Sequence, residues 1–253
     1  MSDGPVLFCG DAHGKFDHIV RTAQELRASA VVLLGDMEPG RSLDDELGRI
    51  ADLVWFVHGN HDADSDELYE RVWDSKLASR NVDGRVVVLP NGLRLAGLGG
   101  VFREAVWHPT AASARGGEPA FRTRKDHARA TPRQDRWRSG PARKHAGTIY
   151  PAELDKLATM RADIFITHEA PGYHPNGFEI LDTLAQALGV TVTVHGHHHD
   201  NIDSSVRWER QGFKSFGVGL RGITSIDANG LAQVIVPGEI DEARSHRQQR
   251  ICP

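Results

Sequence analysis

The chain has 253 residues, of which 40% are hydrophobic and 25% are charged, and its formal net charge is −4. This composition is typical of a globular protein and excludes a mainly disordered or collagen-like chain. No apolar run approaches the roughly 20 residues that a membrane-spanning helix needs, and the first residues do not resemble a signal peptide. Two cysteines, Cys9 and Cys252, provide no disulfide framework. We therefore expect a cytoplasmic protein without a membrane partner.

The first third of the chain repeats one unit, in which a short apolar run is followed by a polar loop and an amphipathic stretch. Continuous apolar runs of this length are typical of buried parallel strands, and the stretches after them have helical periodicity. The order of strands and helices indicates an α/β fold. The predicted strands are 6–9, 30–34 and 54–57, and the predicted helices are 16–26, 43–53 and 67–77.

The rest of the chain is predicted to continue with strands and helices around one irregular segment. Residues 86–89 and 93–98 flank Pro90-Asn91-Gly92 and predict a hairpin. We expect a single domain over 1–253, with a basic insertion at about 101–150 and a mobile tail from about 239. The further predicted elements are helices 151–160 and 178–188, strands 163–166 and 190–193, and a terminal antiparallel run of strands at 206–209, 213–218, 223–227 and 231–236.

Side chains that can bind metal ions follow five of the predicted strands. In α/β sheets the working residues gather beyond the carboxyl ends of the strands, so these side chains are expected to meet. A single Asp or His at such a position is more often a turn, a cap or a satisfied histidine, but five in the same position favour one shared site. The residues are Asp11 and His13, Asp36, Asn60 and His61, His168, and His197 and His199.

These blocks resemble the ordered signature of the calcineurin-like metallophosphoesterase superfamily, from residue 7 to residue 199. The resemblance implies a four-layer αββα sandwich, in which two mixed β-sheets are flanked by helices. It also implies a metal-dependent phosphatase or phosphodiesterase, with a hydroxide that bridges two metal ions. The matching blocks are Asp11-Ala12-His13, Gly35-Asp36, Gly59-Asn60-His61-Asp62, His168 and Gly196-His197-His198-His199.

The resemblance also assigns roles by position. One metal ion would be held by Asp11, His13, Asp36 and His199, and the second by Asp36, Asn60, His168 and His197. His61 would be the catalytic acid that protonates the leaving oxygen. We expect manganese first. Iron, zinc, nickel and cobalt are alternatives, because oxygen and imidazole ligands do not discriminate among these metals. The expected substrate-binding residues are Asn60, His61 and Arg103.

One departure from the family pattern concerns the second block. The Ser/Thr phosphatase branch has a further Asp and an Arg after Gly-Asp, and Gly35-Asp36-Met37-Glu38-Pro39-Gly40 has neither. The sequence therefore argues against a protein phosphatase of that type and leaves the residue that supports His61 open among Glu38, Asp62 and Glu169. His58, His195 and His198 are expected to be spacers or outer groups around the site.

The insertion at 101–150 has eleven Lys and Arg residues against four Asp and Glu residues, together with Trp107, Phe121 and Trp137. It could be a lid over a phosphorylated small molecule or nucleotide, a groove for single-stranded nucleic acid, or a solvated loop. We favour the lid, because the basic residues are scattered. A nuclease or phosphodiesterase acting on nucleic acid is the alternative, and a scaffold that has lost its metal ions is a third possibility. The sequence does not predict the oligomeric state.

Overall fold

Ten short strands in a computed structural model, which describes residues 4–227 and 229–241, form two five-stranded sheets. Sheet A contains β1 (Val6–Cys9), β2 (Ala30–Leu33), β3 (Val54–Phe56), β9 (Ile223–Ile226) and β10 (Ala232–Val236), in the order β10-β9-β1-β2-β3. Sheet B contains β4 (Arg85–Val88), β5 (Arg94–Leu98), β6 (Ile164–Thr167), β7 (Val192–His195) and β8 (Lys214–Gly217), in chain order.

Both sheets are mixed, and their central strands are parallel. Strands β1, β2 and β3 are parallel, and β9 and β10 extend sheet A by antiparallel pairing. In sheet B, β4 pairs antiparallel with β5, and β5 to β8 are parallel. The carboxyl ends of the parallel strands therefore lie along one edge of each sheet.

Helices cover the outer face of each sheet, which gives the expected four-layer αββα sandwich. The helices are α1 (Asp17–Glu25), α2 (Leu43–Leu47), α3 (Asp66–Trp73), α4 (Arg124–Ala130), α5 (Pro151–Leu157), α6 (Glu179–Leu188) and α7 (Trp208–Gln211). Helices α1 and α2 share a buried cluster with sheet A, and α5 and α6 share one with sheet B. A third cluster lies between the two sheets.

The continuous apolar runs follow from this layering. In β1, Val6 and Phe8 point into the cluster between the sheets, whereas Leu7 and Cys9 belong to the cluster under the helices. Successive side chains of a strand point to opposite faces, so a strand covered on both faces needs apolar residues throughout. Cys9 is a buried free thiol in this core, as its position in an apolar run suggests.

The insertion packs against the domain rather than extending from it. Val106 and Trp107 near its start are buried in the cluster on sheet B, as is Tyr150 at its end. The insertion also binds three acids that are spaced by four residues along α3 and its C-terminal cap. Trp137 Nε1 donates to Asp66 (3.1 Å), Arg138 donates to Glu70 (3.3 Å) and lies 3.5 Å from Asp74, and Arg143 also donates to Asp66.

Several predicted elements are wrong in part. The helix predicted at 43–53 continues beyond α2 only as a tighter 3-10 turn, Gly48–Leu53, and the insertion contains a helix, α4. The strand predicted at 190–193 lies two residues later, as β7. The strand predicted at 206–209 does not exist, because a 3-10 turn and α7 cover this segment. Strand β8 lies in sheet B and is parallel to β7, so the last strands are not one antiparallel run, although β9 and β10 do pair antiparallel in sheet A.

The mobile tail predicted from about 239 lies mostly beyond the described residues, as does Cys252. Within the described ranges, every helix is too short or too polar to cross a bilayer.

Candidate metal centre

The side chains predicted from the five strand ends lie together in the structure. Asp11 and His13 follow β1, Asp36 follows β2, and Asn60 and His61 follow β3, all at the carboxyl edge of sheet A. The residues from sheet B follow β6 and β7, and they are His168, His197 and His199. The centre therefore lies where the carboxyl edges of both sheets meet.

The first donor set consists of Asp11, His13 and His199, whose ligand atoms lie within 4.8 Å of one another. His13 Nδ1 donates to Glu38 Oε2 at 3.0 Å, so its Nε2 carries the lone pair. That Nε2 lies 3.2 Å from Nε2 of His199. Two imidazole nitrogens that face each other beside a buried carboxylate form a typical binding environment for a cation.

The second donor set consists of Asp36, His168 and His197, again with ligand atoms within 4.8 Å. His168 Nδ1 donates to the backbone oxygen of Leu34 at 2.7 Å, which fixes the tautomer. Its Nε2 then faces Oδ1 of Asn60 at 3.2 Å and Oδ2 of Asp36 at 3.4 Å. Once Nε2 has released its proton, a nitrogen lone pair, an amide oxygen and a carboxylate oxygen converge on one point.

The electrostatics of the centre favour positive charge. Burial raises the pKa of Asp11 to about 7. Burial alone would lower the pKa of His168, but the charges of Asp36 and Asp11 raise it to about 10. Burial, helped by the charge of His168, lowers the pKa of His197 to about 3, which keeps that ring neutral. The two carboxylates that hold a proton on His168 would equally attract a divalent cation.

The donors fit two divalent ions. Buried carboxylates, an amide oxygen and neutral imidazoles are the ligands of manganese, iron, zinc, cobalt and nickel, and a thiolate is missing from both described sets. The outer nitrogens of His13 and His168 are already engaged by Glu38 and Leu34, as is usual for metal-bound histidines. The structure thus brings together the residues that the sequence predicts as ligands, in two groups.

His61 lies beside the first set but belongs to neither. Its ring centroid is 6.0 Å from that of His13, and its backbone N–H donates to Oδ1 of Asp36 at 2.8 Å. Its Nδ1 donates to Oδ2 of Asp64 at 2.6 Å, and Oε1 of Glu38 is 3.8 Å away. Burial lowers the pKa of His61, but the Asp64 contact and the charges of Asp36, Asp64 and Glu38 raise it overall.

The three residues considered as supports of His61 have other primary contacts. Glu38 binds His13. Asp62 is fully buried and accepts backbone N–H bonds from Met37 (2.7 Å), Glu38 (3.0 Å) and Gly59 (2.8 Å), so it joins the loops after β2 and β3. Glu169 accepts a bond from Phe102 N at 3.1 Å, and its Oε2 lies 3.9 Å from His197 Nε2.

The remaining histidines of the motifs are packed around the centre. His195 is buried in β7, donates from Nδ1 to Gly196 O (2.9 Å) and accepts the hydroxyl of Tyr173 (2.6 Å) on Nε2. His198 stacks on His174 with centroids 4.0 Å apart, and His58 is buried against Trp73. The sequence did not predict the parts that Asp64, Tyr173 and His174 play here.

The loops that present these side chains are held in an uncommon backbone conformation. Several residues at the centre have positive φ although they are not glycine, a region that side chains usually avoid. Such conformations persist only where the surrounding structure imposes them, and they are frequent at functional sites. The residues are His13 (φ 40°), Asp36 (φ 45°), Glu38 (φ 43°), His197 (φ 67°) and His199 (φ 60°).

Comparison with known proteins gives a consistent result. Residues 4–201 match the sequence model of the calcineurin-like phosphoesterases. An uncharacterized protein of Haemophilus influenzae is 37% identical over 232 residues, which are 91% of this chain and 97% of that protein.

Two solved structures are similar to this one. The protein TT1561 of Thermus thermophilus superposes with a TM-score of 0.59 at 16% identity, covering 92% of this chain and 98% of the other, which shows a shared fold. A dimetal phosphatase from Danio rerio gives a TM-score of 0.46 at 14% identity, with 92% and 99% coverage.

Proposed function

The chain belongs to the calcineurin-like phosphoesterase family and is a metal-dependent hydrolase of phosphoesters, and from that premise we propose that its substrate is a phosphorylated small molecule or nucleotide. The reaction is hydrolysis of a phosphoric ester or anhydride without a covalent enzyme intermediate. The observation that carries the proposal is the pair of donor sets where the carboxyl edges of the two sheets meet, each with ligand atoms within 4.8 Å, next to a histidine that belongs to neither.

Asp11, His13, Asp36 and His199 would hold one ion, and Asp36, Asn60, His168 and His197 the other. Manganese is the first expectation, with iron, zinc, nickel and cobalt as alternatives. Two divalent ions, when bound, supply positive charge against the charge that develops on the phosphoryl group and a nucleophile derived from water. Asp36 can serve both sets because a carboxylate has two oxygens.

His61 is proposed as the acid that protonates the leaving oxygen. Asp64 accepts the proton of Nδ1, so Nε2 is the nitrogen left to act on substrate. The side chain of His61 is 45% exposed, which leaves room for a leaving group of variable size. The raised pKa of His61 extends the protonated form, which an acid requires, to higher pH.

Asn60, His61 and Arg103 are proposed as substrate contacts. Burial raises the pKa of Glu169, and the charge of Arg103 partly offsets this increase. Burial lowers the pKa of His145, and the charge of Arg103 adds to this decrease. Arg103 therefore lies close to both residues. Its Nε atom is buried and has no hydrogen-bond partner among the described residues. An arginine with an unused donor, five residues beyond the end of β5, is well suited to bind a phosphate oxygen.

The contacts of the insertion favour a small substrate over single-stranded nucleic acid. Arg138 and Arg143 bind acids of α3, and Arg122 and Arg124 bind Asp155 (2.7 Å) and Glu153 (3.4 Å). Arginines that are neutralised by the chain's own carboxylates contribute little to a groove for phosphates. The nuclease alternative predicts binding of nucleic acid that weakens steeply with salt.

The test of the proposed function is the rate on a chromogenic phosphate monoester and the matching diester, with manganese added to chelator-stripped protein. We expect a metal-dependent rate on at least one ester that falls by about 100-fold or more in Asp36→Asn, because this variant weakens both donor sets. A wild-type protein that shows no rate with any of the five metals would contradict the proposal and favour a scaffold.

The acid is tested separately by His61→Gln. This variant should keep its metal content but lose about 100-fold or more in kcat, because general acid catalysis contributes that much. The loss should be smaller on an ester whose leaving group is already acidic, since such a group needs no proton. Equal losses on activated and unactivated esters would assign His61 a different role.

A further inference from the structure

Arg143, near the end of the insertion, binds the turn that follows His61. Its Nε donates to the backbone oxygen of Ala63 (3.1 Å), and its Nη2 donates to the backbone oxygen of Asp64 (2.7 Å). Its Nη1 donates to Oδ1 of Asp66, the first residue of α3. The planar guanidinium group carries its donors in a rigid fork, so one side chain holds all three oxygens in a fixed arrangement.

A different residue holds the turn from inside the molecule. Asp62 is fully buried, and its carboxylate accepts three backbone N–H groups from the loops after β2 and β3. Asp62 therefore fixes the start of the turn, whereas Arg143 fixes the next two residues from the outer side. The backbone also closes on itself, because Asp64 N donates to His61 O at 3.1 Å.

The two side chains that this turn presents to the metal centre have little packing of their own. Those of His61 and Asp64 are 45% and 52% exposed. They bond to each other, because Nδ1 of His61 donates to Oδ2 of Asp64 at 2.6 Å. A movement of the Asp64 backbone carries this carboxylate away from the ring. The orientation of the ring therefore depends on the contacts that hold the backbone of the turn.

The segment that carries Arg143 is itself anchored to sheet B. Residues Arg143–Gly147 form a 3-10 turn. Just beyond β5, Val101 donates to Gly147 O (3.1 Å) and accepts a bond from Ile149 N (3.1 Å). Gly147 also lies against the loop after β3, because a Cβ atom at this position would be 2.6 Å from Gly59 O. The last part of the insertion thus forms a fixed connection between sheet B and this loop.

Arg138 makes a different kind of contact. It donates to Glu70 at 3.3 Å and lies 3.5 Å from Asp74, and both of these groups are side-chain carboxylates. Two of the three acceptors of Arg143, by contrast, are backbone oxygens of the turn. The two arginines therefore share the docking of the insertion, but Arg143 also holds the turn.

We infer that Arg143 is a positioning residue that holds Asp64, and through it the ring of His61, in place for proton transfer to the leaving oxygen. The insertion is then part of the catalytic apparatus rather than only a lid. The inference rests on the proposed function, since it takes His61 as the acid.

The leaving-group dependence of the rate tests this role in manganese-loaded protein. Two esters of the kind that the protein hydrolyses are compared, one with an alkyl leaving group and one with an acidic chromogenic group. Arg143→Ala should lower kcat on the alkyl ester by about 10-fold or more, because a displaced catalytic group is costly, and should change KM by less than about twofold. The loss should be smaller on the chromogenic ester, whose leaving group needs no proton. An unchanged kcat, or an equal loss on both esters, would overturn the inference.

Removal of His61 tests whether Arg143 acts through it. In a His61→Gln background, Arg143→Ala should change kcat by less than about twofold, because a residue that acts only through His61 has no effect once that ring is gone. Arg138→Ala is the matched control, since it removes a docking contact and leaves the turn bonded, and its kcat should match that of the unaltered protein. Independent losses in the double variant, or equal losses in Arg138→Ala and Arg143→Ala, would argue decisively against the positioning role.

The tautomer of His61 gives a readout that does not depend on turnover. Nitrogen-15 chemical shifts show which ring nitrogen carries the proton, and zinc-loaded protein is suitable because zinc is a d¹⁰ ion without redox chemistry. In the neutral ring the proton should lie on Nδ1 in the unaltered protein and in Arg138→Ala, because Asp64 accepts it. Arg143→Ala should move it toward Nε2, and His61→Gln identifies the signals. The same tautomer in Arg143→Ala as in the unaltered protein would overturn the inference.

These results separate the two proposals. A metal-dependent rate with a leaving-group effect in His61→Gln, together with an Arg143→Ala variant that behaves like Arg138→Ala, overturns the inference and leaves the proposed function standing. A protein without any metal-dependent rate overturns the proposed function and the positioning role with it, even where Arg143→Ala changes the tautomer of His61. Circular dichroism and melting temperature of each variant show whether a loss of rate comes from misfolding.

Discussion

At the scale of single residues, the pair His61 and Asp64 leads to the sharpest prediction. Asp64 lies 2.6 Å from Nδ1 of His61 and contributes to the raised pKa of the ring. A raised pKa means that the protonated form of His61 persists to higher pH. Removal of the Asp64 carboxylate should therefore move the deprotonation of His61 to lower pH. In Asp64→Asn we expect the alkaline limb of the kcat profile to move to lower pH, so that the rate on that limb falls while the rate at acidic pH is kept.

The control for this prediction is Asp52→Asn, because Asp52 is an exposed residue outside the centre. Its pH profile should match that of the unaltered protein. An Asp64→Asn variant that loses rate equally at every pH would show that Asp64 holds the loop and does not tune His61.

A second prediction concerns Glu38, which orients a candidate ligand without joining the donor set. Because Glu38 accepts the Nδ1 proton of His13, Glu38→Gln should weaken binding of one metal ion by about 10- to 100-fold. Competition with a chelator, read by metal analysis of the protein, measures this change. Glu46→Gln is the control, since Glu46 bonds to the backbone of Arg41 on the surface.

The sequence predicted the donor residues because each follows an apolar run that is easy to recognise. It did not predict Asp64 as the partner of His61. His61 is followed in one turn by Asp62, Ala63 and Asp64. Only the folded turn shows that Asp62 is buried and that Asp64 contacts the ring of His61. A residue three positions along becomes a neighbour only when the chain turns back on itself.

At the scale of elements, strands that are covered on both faces were predicted within about two residues, because burial on both faces forces an apolar run. The alternating apolar and polar residues of segment 206–209 predict a strand, but the alternation covers only four positions and the prediction is wrong. In the structure Trp208 donates to Ser204 Oγ at 2.7 Å, and the helical turn α7 ends at Gly212 with φ 81°.

The helical turn also bears on the position of β8, which the sequence groups with β9 and β10 but which lies in sheet B beside β7. Parallel neighbours need a long crossover connection, whereas antiparallel neighbours can be joined by a short turn. A strand at 206–209 would leave no helix between β7 and β8, and a connection without a helix favours antiparallel neighbours. The structure has α7 in this connection, which allows β8 to run parallel to β7.

The docking of the insertion is testable through Arg143. Its side chain bonds to Ala63 O, Asp64 O and Asp66, so Arg143→Ala should release segment 131–142 from α3. We expect trypsin to cleave this segment about tenfold faster, because charged hydrogen bonds contribute more than about 1 kcal/mol each. Arg129→Ala is the control, since Arg129 pairs with Asp126 within α4. Unchanged cleavage would mean that other contacts hold the insertion.

At the scale of the whole molecule, buried carboxyl groups and buried histidines contribute to the pH dependence of stability in opposite directions. Burial lowers the pKa values of His58 and His195, so these groups lose stability as pH falls. Burial is the largest cause of raised pKa values for Asp11 (about 7), Asp62 (about 6), Glu153 (about 7) and Glu169 (about 7). In the unfolded chain these groups titrate near pH 4, at about 3.9 for Asp and 4.3 for Glu. A group of this kind contributes stability below its unfolded pKa and loses it as pH rises through the folded value.

In chelator, the melting temperature of Asp11→Asn relative to that of the unaltered protein should therefore be higher at pH 8 than at pH 5, because the variant removes one carboxyl group that loses stability over this range. Manganese should raise the melting temperature more at pH 8, because protons compete with the ions for Asp11 and His168 at lower pH. Thermal melts over this range, with Asp11→Asn as the comparison, measure both effects. The same difference in melting temperature between Asp11→Asn and the unaltered protein at both pH values would contradict the contribution assigned to Asp11.

The candidate ligands are divided between parts of the chain that are synthesised at different times. Asp11, Asp36 and Asn60 belong to the first quarter of the sequence, whereas His197 and His199 follow more than 130 residues later. At about 5 to 20 residues per second, this interval is on the order of ten seconds. Strand β9, which pairs with β1, is made later still. A nascent chain on the ribosome therefore carries only part of each donor set, and loading with metal has to wait until His197 and His199 have been synthesised.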